Sequence, residues 1–328
     1  MVVVAASSLI VEPASRADVR LALAGWSCYM PGGVALITLF APLLLIHHSW
    51  RTLWFANASL LLMIAVLSFI CVRPREDATH PTTPSHPLAD LRAVTTARGP
   101  ILLAIIFGTY TMQHLAVMGF MPAVLIEKFH VCQSNAGLLV SIAMASNILD
   151  NLAAGVLLHG GFARTHLIGA TSIFMAIMTI GMFSLGLSLV PVYLCAFLFS
   201  CVGGLVPSAV MGSAPFHAPT ERLIPATKGL LVQGSNLGIV LGPPLLSGVA
   251  TAMGWQWVPL LTILAAALAT LSGHGPKLSS PFPPRGLDEN FEPLRSRHTR
   301  TDAAIVFFFS HARNFLSTGQ VITRTCNR

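Results

Sequence analysis

The chain has 328 residues, of which 54% are apolar and only 9% charged. An ordinary soluble domain carries about 25% charged residues, so the composition excludes a soluble globular protein and assigns an integral membrane protein. The formal net charge is +7, and the positions of the cations decide whether that charge concerns nucleic acid or a membrane.

Residues 1–11 are apolar but have neither a basic n-region nor a cleavage site, so they do not read as a signal peptide. A membrane span needs about 20 predominantly apolar residues. The first candidates are 21–46 and 52–72. Running from the first into the second, "YMPGGVALITLFAPLLLIHHSWRTLW", 29–54, carries a Gly32–Gly33 pair and closes on Trp50, Arg51 and Trp54. Small residues let a neighbouring helix approach, and Trp and Arg anchor a span at the headgroup level. Residues 73–99 are rich in Pro, Thr and charge and read as a cytosolic linker.

Beyond the linker, 101–126 reads as one helix and 135–158 as another, interrupted only by Asp150. The stretches 167–216 and 229–273 are each long enough for two helices, with breaks expected near Pro191 and at "MGWQW", 253–257. The expected total is eight helices. Continuous apolar runs with internal Gly and Pro fit helices rather than the alternating strands of an outer-membrane barrel. Residues 274–328 form a polar, Pro-rich tail expected to be disordered. Six single cysteines without a C-x-x-C pair indicate neither a disulfide framework nor a zinc site, and no cofactor or metal is implied.

With a cytosolic N-terminus, the inner segments hold Arg16, Arg20, Arg73, Arg75, Arg92, Arg98, Arg164, Arg222 and Lys228, whereas the outer ones hold Arg51 and Lys128. That bias places both termini in the cytosol. The basic balance therefore reports orientation and contact with anionic lipid, and no nucleic-acid partner is expected.

An ungapped offset of 205 residues sets Trp50 against Trp255, Ser8 against Ser213, Gly33 against Gly238 and Leu36 against Leu241. Such a parallel repeat over six helices is a transporter layout. Together with the central loop, "GGLVPSAVMGSAP" at 203–215 and "GLLVQGSNLGIVLGPPLLSG" at 229–248, it makes residues 8–273 resemble the major facilitator superfamily of secondary transporters. "GVLLHGGFART", 155–165, resembles the family's short loop between the second and third helices of a half. Gly155 and Arg164 match its pattern, while His159 and Gly160 stand where an acid and a base would be. The opening stretch lacks the Gly-Pro-x-x-x-Gly-Gly signature of drug-proton antiporters.

The resemblance implies an all-α membrane bundle whose eight helices correspond to the fifth through twelfth of the family's twelve, a chain truncated at its N-terminus. In domain terms, 1–72 would be a remnant of the N-terminal half, 73–99 the central loop, 100–273 the C-terminal six-helix half and 274–328 the tail. The implied location is the plasma membrane, a bacterial inner membrane. The implied function is alternating-access transport of a small polar organic solute. The alternatives are a transport-incompetent remnant, or a chain that completes its bundle with a partner or by self-association. A membrane-embedded enzyme is disfavoured, because the twelve histidines are scattered, without an H-E-x-x-H or paired spacing.

Polar residues inside a bilayer are costly, so their placement is informative. Asn147, Asp150 and Asn151 lie at i, i+3 and i+4, on one helix face. Asp150 is the candidate proton- or ion-coupling residue, with a structural carboxylate as the alternative. Gln113 and His114 are adjacent and point about 100° apart, one expected to face a cavity and the other a helix contact. Gln233 and Asn236 sit beside Gly234 and Gly238 and read as substrate contacts or interhelical glue. Trp26 and Tyr29, at i and i+3, could stack on a ligand or simply pack.

Overall fold

The computed structural model describes residues 29–71, 87–159 and 162–273, and every regular element among them is helical. In chain order the α-helices are α1 (Tyr29–His47), α2 (Trp50–Cys71), α3 (Pro87–Thr96), α4 (Arg98–Phe129), α5 (Gln133–His159) and α6 (Arg164–Phe183). They continue with α7 (Leu189–Gly203), α8 (Leu205–His217), α9 (Ile224–Met253) and α10 (Val258–Gly273).

Six stretches among the described residues are long and apolar enough to cross a membrane: α2, α4, α6, the joined α7–α8 unit, α9 with its preceding turn, and α10 with its preceding turn. Eight were expected. The other two correspond to α1, whose described apolar run is the shorter Gly32–His47, and α5. The latter has 27 residues, or about 40 Å at 1.5 Å per residue.

Breaks fall where backbone chemistry puts them. The 167–216 stretch divides at 184–188, where Gly186 takes φ +60°, so that Pro191 falls in the first turn of α7. A proline is tolerated there, because the N–H it lacks would have no helical partner. The 229–273 stretch divides within the expected "MGWQW": Gly254 has φ +93°, and Trp255–Trp257 form a single 3-10 turn before α10. A side chain at position 254 would strain this left-handed turn.

Residues 87–96, read from composition as linker, form α3. Pro87 begins it, Val94 docks it, and Thr95 and Thr96 donate back to the carbonyls of Leu91 and Arg92 at 2.8 and 2.7 Å. Proline at a first helical position and a single buried anchor suffice for a ten-residue helix once tertiary packing holds it.

The core runs along α4, which packs against α9, α10, α8, α5 and α7. Its tightest neighbour is α9. Gly234, Gly238 and Gly242 lie at four-residue intervals, and a Cβ added at any of them would collide with the backbone of Ala104, Gly108 or Met112, respectively. Such contact is open only to residues without side chains. Thr111 Oγ1 reinforces it by donating to the Ser235 carbonyl at 2.8 Å. On the other flank α1 packs on α5, where Gly137 leaves room for the ring of Pro42.

Candidate functional site

Three helices bring polar groups together in the middle of the bundle. Tyr110 and His114 come from α4, Asn147 from α5 and Ser200 from α7, and all four are buried. Their meeting follows from how α7 ends. The last four carbonyls of a helix lack intrahelical partners, and Ser200 is among the last four residues of α7. Gly203, Gly204 and Pro207 interrupt the run at this point, and the Gly204 N–H turns to the Val202 carbonyl. The Ser200 carbonyl accepts instead from Asn147 Nδ2, at 2.9 Å.

Around that bond the other groups close in. Asn147 Nδ2 also lies 3.5 Å from the Tyr110 hydroxyl, and Ser200 Oγ lies 3.5 Å from His114 Nε2. The His114 ring stacks between Tyr110, with centroids 5.3 Å apart, and Phe199, at 5.7 Å. Gly203 makes the fit possible, since a Cβ there would press on His114, Met175 and Tyr110. The cluster is a neutral donor-acceptor array flanked by aromatic faces. None of its four side chains is a carboxylate, an amine or a guanidinium.

Gln113 and His114 part company as helix geometry requires. Whereas His114 turns toward α7, the buried Gln113 turns into a wedge between α4, α9 and α10. Gln233 and Asn236 are both exposed, on α9 faces turned away from its glycine contacts with α4. Asp150 and Asn151 belong to α5 one turn beyond Asn147, but their side chains lie outside the described ones. Trp26 is likewise outside the described residues, and Tyr29 opens α1 with its side chain undescribed.

Sequence reasoning left Ser200, Phe199 and Tyr110 off the candidate set. The Gly203–Gly204 pair followed by Pro207 was the available signal for Ser200, because a broken helix must place its last carbonyls somewhere.

One end of the bundle gathers cations. Arg222 meets Asp90 at 2.5 Å, and Arg164 lies 4.2 Å over the Phe216 ring. Arg98 lines a groove of about 440 Å3 with Thr96, Gly99 and His217.

The Major Facilitator Superfamily profile matches residues 1–224, more than half of the sequence. The chain belongs to the Major Facilitator Superfamily. It is a multi-pass membrane protein of that superfamily, with the helical bundle the resemblance implied. The match begins seven residues before the resemblance read from the sequence and stops as α9 begins, so α9 and α10 lie beyond it. No curated protein matches the chain.

Proposed function

We propose that the protein is a secondary active transporter that carries a small, polar, uncharged organic solute by alternating access. The observation that supports this most directly is the convergence of Tyr110, His114, Asn147 and Ser200 from three helices in the bundle interior. In a bilayer, polar groups gathered from several helices mark a solute path. The neutrality of the array favours a solute without a strong formal charge.

Asp150, one turn from Asn147, is the coupling residue in this reading, since a carboxylate away from water readily takes up a proton. Asn151, Gln233, Asn236, Trp26 and Tyr29 complete the proposed solute contacts, whereas Gln113 faces a wedge too small for an organic solute. The location is the plasma membrane, a bacterial inner membrane, with both termini in the cytosol. The clustering of Arg98, Arg164 and Arg222 at one end of the bundle supports that orientation.

The test is uptake of a solute panel into proteoliposomes under an imposed proton gradient. Asp150→Asn should abolish accumulation against a gradient yet leave counterflow exchange largely intact. Equal loss of both activities, in protein that remains folded in the membrane, would refute the coupling role.

A second reading is favoured by α2, none of whose span residues is buried, with Trp54, Phe55 and Phe69 each more than 60% exposed. Here another copy of the chain covers α2 and is required for transport. Crosslinking through single cysteines along α2 in native membranes distinguishes the two, because a monomer surrounded by lipid gives no chain-to-chain product.

A further inference from the structure

Gln113 is 3% exposed, and neither its amide oxygen nor its amide nitrogen has a hydrogen-bond partner among the described residues. A buried amide left in this condition is costly, and native proteins seldom keep one without a bound species to satisfy it. The side chain does not end against packed atoms. It lines a small cavity walled by Val117 of α4, Leu246 of α9, and Val258 and Leu261 of α10. The other polar side chain lining it is Thr262.

Thr262 narrows the chemistry. Its Oγ1 lies 2.7 Å from Thr179 Oγ1 and 2.9 Å from the Pro259 carbonyl, while Thr179 has the Met175 carbonyl within 2.8 Å. Its single hydroxyl proton is therefore engaged within the protein, and a lone pair is left to accept. Gln113 contributes two donors and one acceptor. None of the lining side chains is ionisable, so a bare ion would enter without a countercharge. The cavity leaves about 10 Å3 for the centre of a water-sized sphere, which is close to the smallest space that holds one water.

We propose that Gln113 and Thr262 hold a single internal water in the wedge between α4, α9 and α10. The water accepts from the Gln113 amide nitrogen, and it donates one proton to the Gln113 oxygen and the other to Thr262 Oγ1. It sits beside Gly242, where α9 lies against the Met112 backbone. The contact between α4 and α9 is therefore dry along its glycines and wet at its edge. The placement is independent of the transport reading.

The test is a structure of the full chain in lipid nanodiscs at a resolution that shows ordered water, for the native sequence, Gln113→Met and Thr262→Val. The expected result is a spherical peak within hydrogen-bond reach of the Gln113 amide, lost in Gln113→Met and weakened or displaced in Thr262→Val. An empty wedge, or elongated density from a lipid acyl chain, would overturn the proposal. So would a peak that persists unchanged in either variant. Should Gln113→Met fail to fold, Thr262→Val and the native map still decide between these outcomes.

Discussion

Replacing Gly238 by alanine adds one methyl group at the tightest point of the α4–α9 contact. That methyl would collide with the Gly108 carbonyl and stand 2.5 Å from Thr111 Oγ1, about 1 Å inside ordinary van der Waals contact. The first obstacle is backbone and cannot rotate away. The helices must separate, and overpacking of this kind costs about 1–3 kcal/mol. Thr111 would also lose its bond to the Ser235 carbonyl, worth about 0.6 kcal/mol within a membrane. Against this, alanine is favoured over glycine in a helix by about 1 kcal/mol. The balance is destabilising by roughly 0.6–2.6 kcal/mol. Gly248, on the same helix, has nothing within 4 Å of an added Cβ, so Gly248→Ala should gain up to about 1 kcal/mol. The assay is reversible unfolding in mixed micelles with increasing denaturing detergent, followed by tryptophan fluorescence. Equal stability of Gly238→Ala and Gly248→Ala would refute the close-packing account.

Asn147→Leu strands the Ser200 carbonyl and should cost about 1–3 kcal/mol in the same unfolding assay; a neutral result would mean that the carbonyl finds another donor. Arg222→Ala removes an ion pair whose side chains are 47% and 25% exposed, so stability should change by no more than about 1 kcal/mol, and the change should shrink in high salt. Reporter fusions at Pro84 and at the C-terminus should both report cytosol, and one at Lys128 the outside; an outside signal at Pro84 would overturn the orientation.

The helices were legible because lipid permits few alternatives: a backbone that crosses hydrocarbon must satisfy its own hydrogen bonds, and long apolar runs betray it. Turns were legible where glycine and proline compel them, as at Gly254. Helix α3 was not, since its stability comes from docking Val94 rather than from its Pro- and Thr-rich surroundings. Facing was harder still. On α9 the exposed Leu237 and Val240 are as apolar as the buried Leu231 and Leu246, because lipid and protein interior ask for the same side chains. Only the four-residue glycine interval marks the inner face, and Gly234 and Gly238 gave two of its three positions. The parting of Gln113 from His114 followed from helix geometry alone. Which of them met α7 depended on where the Gly203–Gly204 break left Ser200.

The bond from Asn147 to the Ser200 carbonyl ties a break in one helix to the height of another. If α5 slid along its axis by one residue, about 1.5 Å, the Ser200 carbonyl would face apolar surroundings with no donor. Closing the break, so that the Gly204 N–H took the Ser200 carbonyl, would instead make the buried Asn147 amide compete for its acceptor. Either movement alone carries a desolvation penalty, so α5 and the α7–α8 junction travel together, with α4 held to them through the His114 stack. The flexibility that transport demands must then lie at the seams around this three-helix block, and the first place to measure motion is between α1 and α5, where the Pro42 ring rests in the notch at Gly137.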